Sequence, residues 1–283
     1  MAKKTRKNRA GAYFIVIQEI FHWILISGFS MAVIIRVGSS DQVGGVAKSS
    51  FNTWGLLAAI AVATILLLWL IRTKVGSKIF GALFALAVFS GAFTTISSLC
   101  GLAAAVIGVA AAILLYYNNP RVAVFDVILS LGLAGVAASV GFGMKPEALL
   151  IVLVVLSAYD IAAVYFTKHM VKMGRALLQR KVIFAMILPE RPSGLLARLG
   201  EVGPGKNFVF LGTGDLVLPA LLVASVTTWS GVSAALPIVV GAALGLAATH
   251  IIFISQRIRK PMAALPPIAA GAALGYAFSL LIG

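Results

Sequence analysis

Long apolar runs broken by short polar clusters dominate the chain, and their length gives the first reading. Stretches of about 20 residues, enough to cross a bilayer as a helix, fall near 12–35, 53–71, 79–98, 100–117, 122–143, 148–167, 208–228, 232–254 and 262–282. The third and fourth nearly fuse, with Ser97, Ser98, Cys100 and Gly101 supplying a tight turn between them. The expected fold is all-α, a polytopic membrane protein of nine transmembrane helices.

Composition agrees. Hydrophobic residues make up 61% of the chain and charged residues 11%, with a mean hydropathy of +1.05; a soluble domain looks different. The net charge of +15 does not point to nucleic acid, because of where the charges sit. With the N-terminus in the cytoplasm, that side of the membrane carries 20 of the 23 Lys and Arg residues. The other side keeps only Arg36, Lys48 and Lys145. This asymmetry sets the orientation and reads as anchoring to anionic lipid. It predicts a cytoplasmic N-terminus and, with nine spans, a C-terminus outside. No small-residue cleavage site follows the first apolar run, so that run reads as a retained span. The single cysteine, Cys100, excludes an intramolecular disulfide, and His22, His169 and His250 lack ligand spacing. No metal and no cofactor are expected.

The longest loop, 168–207, carries eight basic residues. It divides the chain into an N-terminal six-helix bundle (1–167) and a C-terminal three-helix unit (208–283). Within the loop, residues 182–188 are all apolar and are followed by Pro189. Seven residues cannot span a bilayer. They read as an interfacial segment or cover packed on the bundle, or, more sharply, as a mobile plug near the acidic residues described next.

Glu19, Asp126, Asp160 and Asp215 fall within spans. Glu19 and Asp126 lie near predicted cytoplasmic ends, where a carboxylate can reach interfacial water or an arginine. Asp160 and Asp215 are deeper. Asp160 precedes Lys168, and Asp215 follows Lys206, by a spacing that puts both about 12–13 Å from one membrane face at helical rise. Burying a carboxylate there costs about 3 kcal/mol or more, so two at matched depth read as a functional pair. In a poorly solvated site the two cannot both ionise cheaply, and they titrate as a unit. One ionised and one protonated carboxyl can take a proton from water and give one to a leaving peptide nitrogen.

Local sequence adds detail. Asp215 closes Gly212-Thr213-Gly214-Asp215, where glycines admit close backbone approach or water. Asp160 follows Tyr159, although neighbouring helical residues point about 100° apart. At the start of the last span, Ala264-Leu265-Pro266-Pro267 lacks two backbone donors. Such a break is tolerated in a membrane only where protein or a water-filled cavity covers it. In the late spans Gly241/Gly245 and Gly271/Gly275 form two GxxxG faces suited to close helix packing.

Tyr159-Asp160, Gly212-Thr213-Gly214-Asp215 and Ala264-Leu265-Pro266, in this order and on these spans, resemble the YD, GxGD and PAL signatures of the presenilin and signal peptide peptidase family. The resemblance covers the whole chain, with one departure: Ala263 stands where the family tripeptide begins with proline. It implies an intramembrane aspartic endopeptidase of the GxGD type. Asp160 and Asp215 would be its catalytic pair, and Tyr159, Gly212, Thr213, Gly214, Ala264, Leu265 and Pro266 would shape the site or bind substrate. The orientation is similar to that of presenilins. The implied partners are transmembrane-helix protein substrates and the lipid bilayer, not nucleic acid, with homo-oligomerisation left open. The alternative is a proton- or cation-coupled transporter using the same carboxylates. A prepilin-peptidase-like enzyme shares the GxGD element but not the other two.

Overall fold

The computed structural model describes residues 2–38, 76–167, 183–203, 207–256 and 261–282, with isolated positions at 55, 58 and 62. The expected second span, 53–71, falls almost wholly outside these residues. Eight α-helices are described: α1 (Ala2–Gly38), α2 (Gly76–Cys100), α3 (Leu102–Asn118), α4 (Val122–Phe142), α5 (Pro146–Ile161), α6 (Thr213–Ser230), α7 (Val232–Ser255) and α8 (Leu265–Ile282). By length and composition α1, α2, α4, α5, α7 and α8 can cross a membrane. The 17-residue α3 is shorter, and α6 opens on the polar turn Thr213-Gly214-Asp215. The turn expected at Cys100-Gly101 is present. Gly101 takes φ 89°, and Gly231, between α6 and α7, takes φ 87°. That backbone suits glycine best.

Helices do not account for everything. β1 (Ala185–Pro189) and β2 (Phe208–Gly212) form a two-stranded antiparallel sheet, pairing Ala185 with Gly212, Ile187 with Phe210 and Pro189 with Phe208. The run 208–228 is therefore not one helix; its first five residues are strand. Within 182–188, the strand begins at Ala185 and is packed into the core. Met186, Ile187 and Leu188 are fully buried. This matches a cover on the bundle, built from backbone pairing instead of an amphipathic face.

The core is continuous across the loop. Leu129, Leu133 and Leu149 from the first half cluster with Leu216, Leu222, Ile238 and Ile268 from the second. α1 packs against α4, α6 and α7. Its Trp23 indole donates to the Val239 carbonyl of α7 at 2.9 Å, and its His22 Nδ1 lies 2.8 Å from Ser130 Oγ of α4. Glu19 pairs with His250 of α7 at 3.2 Å. Asp126 is only 1% exposed, and its Oδ1 accepts the Ile187 amide at 3.0 Å. Both acids are buried, with partners supplied by other elements.

The most extensive helix contact joins α7 and α8. A Cβ on Gly241 would collide with the Gly271 carbonyl, and one on Gly271 with the Gly241 carbonyl. Gly245 meets Pro267, and Gly275 meets Pro237, in the same way. The two GxxxG faces thus form one antiparallel seam with backbone against backbone.

Candidate active site

α5 supplies Asp160 one residue before its end. The chain then continues through a π-helical turn, Ala162–Phe166, with the Thr167 amide donating to the Ala162 carbonyl at 3.0 Å. Such wide turns inside helices are found often at functional positions. Asp160 is 6% exposed.

Its partner comes from the start of α8. Asp160 Oδ2 accepts the Leu265 amide at 3.3 Å, and the Ala264 amide addresses the same carboxyl. The first turn of any helix leaves amides without internal acceptors. Here Pro266 and Pro267 have no amide to satisfy and Asp160 takes that of Leu265, so the prolines and the carboxylate together account for the helix start. A second polar link sits at the far end of the α5–α8 contact, where the Tyr276 hydroxyl donates to Glu147 Oε1 at 3.4 Å. The two links fix α5 and α8 as antiparallel neighbours.

Asp215 occupies the first turn of α6, immediately after β2. Its carboxylate folds back to the Gly212 amide, and a Cβ on Gly212 would lie 2.9 Å from Asp215 Oδ2. Glycine at 212 is therefore a requirement of the carboxylate's position. At Gly214 a Cβ would meet nothing within 4 Å, so this glycine borders open space. Thr213 Oγ1 donates to the Phe184 carbonyl at 3.3 Å, tying the turn to the strand segment opposite. Asp160 and Asp215 interact electrostatically.

The structure thus gathers Asp160, Gly212–Asp215 and Ala264–Pro266 at one place. Tyr159 stands apart, 47% exposed, as the helical angle between adjacent residues requires. Ala263 is buried beside the break. Among the described residues no group of three His, Cys, Asp or Glu side chains could hold a metal. Sequence reasoning missed β2 as the element that leads into Asp215. It also missed Asp126 as a residue that binds β1.

Residues 48–283 match the family described as signal-peptide peptidase, presenilin aspartyl protease. No curated protein matches the chain. Among solved structures, a presenilin family intramembrane aspartate protease in a C222 crystal form is similar at a TM-score of 0.62 and 23% identity, covering 96% of this chain and 99% of that one. The same kind of protein in a P2 form gives a TM-score of 0.63 at 23% identity, covering 93% and 96%.

Proposed function

This chain belongs to the signal-peptide peptidase and presenilin family of aspartyl proteases, and from that premise we propose that Asp160 and Asp215 are its catalytic pair, of the GxGD type. One observation carries the assignment. Asp160, held by the Leu265 amide, faces the charge of Asp215 at the mouth of a two-stranded sheet.

The chemistry needs nothing else. The ionised member of the pair takes a proton from water as its oxygen adds to the scissile carbonyl carbon. The protonated member gives its proton to the departing nitrogen as the C–N bond breaks. The pair then holds the same number of protons as before. Residues 1–167 bring the first aspartate, 208–283 bring the second with the Ala264–Pro266 break, and the loop 168–207 bridges them.

The substrate class is a single transmembrane helix, which hides its peptide bonds in its own hydrogen bonds and must unwind to be cut. The outer edge of β2 offers an unwound segment backbone partners, and the open space at Gly214 leaves room for it beside Asp215. The partition of basic residues supports a cytoplasmic N-terminus and an external C-terminus. In that orientation, substrates with an external N-terminus are cut nearer the cytoplasmic face.

The deciding experiment incubates the purified protein in detergent with a single-span reporter, with and without a transition-state aspartyl-protease inhibitor. Inhibitor-sensitive cleavage is expected. Absence of cleavage, with proton-coupled uptake in vesicles, would overturn the assignment in favour of a transporter.

A further inference from the structure

The loop 168–207 is stitched to the start of α4 by one antiparallel bridge, and the bridge pairs Arg121 with Arg198. Its hydrogen bonds flank the pair. The Val122 amide donates to the Ala197 carbonyl at 3.0 Å, and the Leu199 amide to the Pro120 carbonyl at 2.8 Å. Bonds on the flanking residues mark the narrow kind of antiparallel pair, with α-carbons about 4.5 Å apart and side chains at their closest. Directly opposed side chains also share one face. Burial agrees: Arg121 and Arg198 are exposed, whereas Val122 is fully buried and Ala197 and Leu199 are half-buried.

Two like charges held opposite one another destabilise the segments that carry them. Among the described residues no carboxylate forms an ion pair with either arginine. The acids nearest in sequence are engaged elsewhere. Glu201 Oε2 accepts the Arg198 amide at 3.3 Å, and Asp126, buried in α4, accepts that of Ile187. Both guanidinium groups are left for an anion from outside the chain. A phosphate suits them, since each planar fork can grip two of its oxygens. The position points to the source of that phosphate. The pair joins the turn between Asn118 and Val122, where α4, long and apolar enough to cross a membrane, begins. Tyr117, 75% exposed, ends α3 beside it, and tyrosine favours the headgroup layer.

We propose that Arg121 and Arg198 together form a binding site for the phosphate of one anionic phospholipid. The bound headgroup cancels the repulsion across the bridge and staples the loop to α4. Basic clusters at the ends of membrane helices hold such headgroups by charge. Here the narrow pairing adds geometry, because it aims two forks at one place.

The test is native mass spectrometry of the full chain in detergent, titrated with phosphatidylglycerol. It compares the wild type with Arg121→Gln, Arg198→Gln, the double variant and Arg191→Gln. Each bridge substitution should weaken the tightest-bound phosphatidylglycerol roughly tenfold, as for one lost hydrogen bond to a charged group. Because both forks hold one phosphate, the double variant should lose less than the two single losses combined. Fully additive losses would mean two independent contacts and overturn the shared site. Arg191→Gln removes an exposed arginine of the same loop, and the same unit of charge, and should bind as the wild type does. Equal weakening by Arg191→Gln would reduce the effect to overall charge and overturn the proposal. Unchanged binding in both bridge variants would overturn it too. Both bridge positions are exposed, so the variants should keep the fold, which circular dichroism checks. Phosphatidylcholine and inorganic phosphate, each at the concentration of phosphatidylglycerol, should fail to displace it. Displacement by the first would remove the selection for negative charge, and by the second would make the ligand a free anion; either result overturns the lipid assignment.

Discussion

The Leu265 amide and the Asp160 carboxylate, 105 residues apart in sequence, meet at 3.3 Å. A helix break and a buried acid thus satisfy each other, the break offering an amide with no acceptor in its own helix and the acid, 6% exposed, needing a donor. Leu265→Pro removes this donor while preserving the break. Turnover should fall roughly tenfold to a hundredfold, the range for one hydrogen bond to a charged group. Leu265→Ala keeps the amide and should lose far less. Cleavage rates of a reporter substrate at saturation separate the two.

Asp160→Asn and Asp215→Asn should each abolish cleavage with expression and helicity intact. An amide keeps the volume of the side chain but can neither take the proton of water nor give one to a leaving nitrogen. Circular dichroism checks the fold and product detection checks the chemistry. More than a few per cent of wild-type turnover in either variant would refute the pair.

The pH–rate profile should be bell-shaped, because the pair works only with one proton between its two carboxyls. The acidic limb marks entry of the second proton, and the basic limb marks loss of the first. A profile with a single limb would mean that only one of the two titrates in the reaction. Initial rates across the range of pH, in buffers of constant ionic strength, decide it.

Gly241→Ala places a methyl against the Gly271 carbonyl. The α7–α8 seam must part, at a cost of about 1–3 kcal/mol by analogy with overpacked cores. The thermal midpoint of the purified protein should drop. Ser233→Ala, at an exposed position near the start of the same helix, should leave it nearly unchanged.

Accessibility tags test the orientation. A tag in the loop 168–207 should report the cytoplasm, and one after Gly283 the opposite side. Both on one side would mean that an even number of spans separates the loop from Gly283.

Much of this was written in the chain, and the part that was not has a physical cause. Spans such as Val122–Phe142 and Leu265–Ile282 follow from apolar length alone, and the acid pair follows from the cost of charge in hydrocarbon. Gly241 and Gly271 announced their seam by spacing. Phe208–Gly212 did not announce itself as a strand. An apolar run leading into an apolar helix has the same composition in either conformation, and periodicity cannot separate five residues of one from the other. Glu19 and Asp126 could be read only as structural or interfacial, because their partners, His250 and the Ile187 amide, come from distant elements. The burial of a polar side chain depends on what folds over it, and no local pattern carries that information.

The glycine seam has a consequence for biogenesis. α7 and α8 follow one another in sequence, so their interface is local and can form as soon as both have entered the bilayer, whereas the contact with Asp160 must wait for a distant helix. α8 can therefore reach Asp160 already docked to α7, carrying the Leu265 amide with it. Asp160 gains that donor only when the local pair α7–α8 meets the distant helix α5.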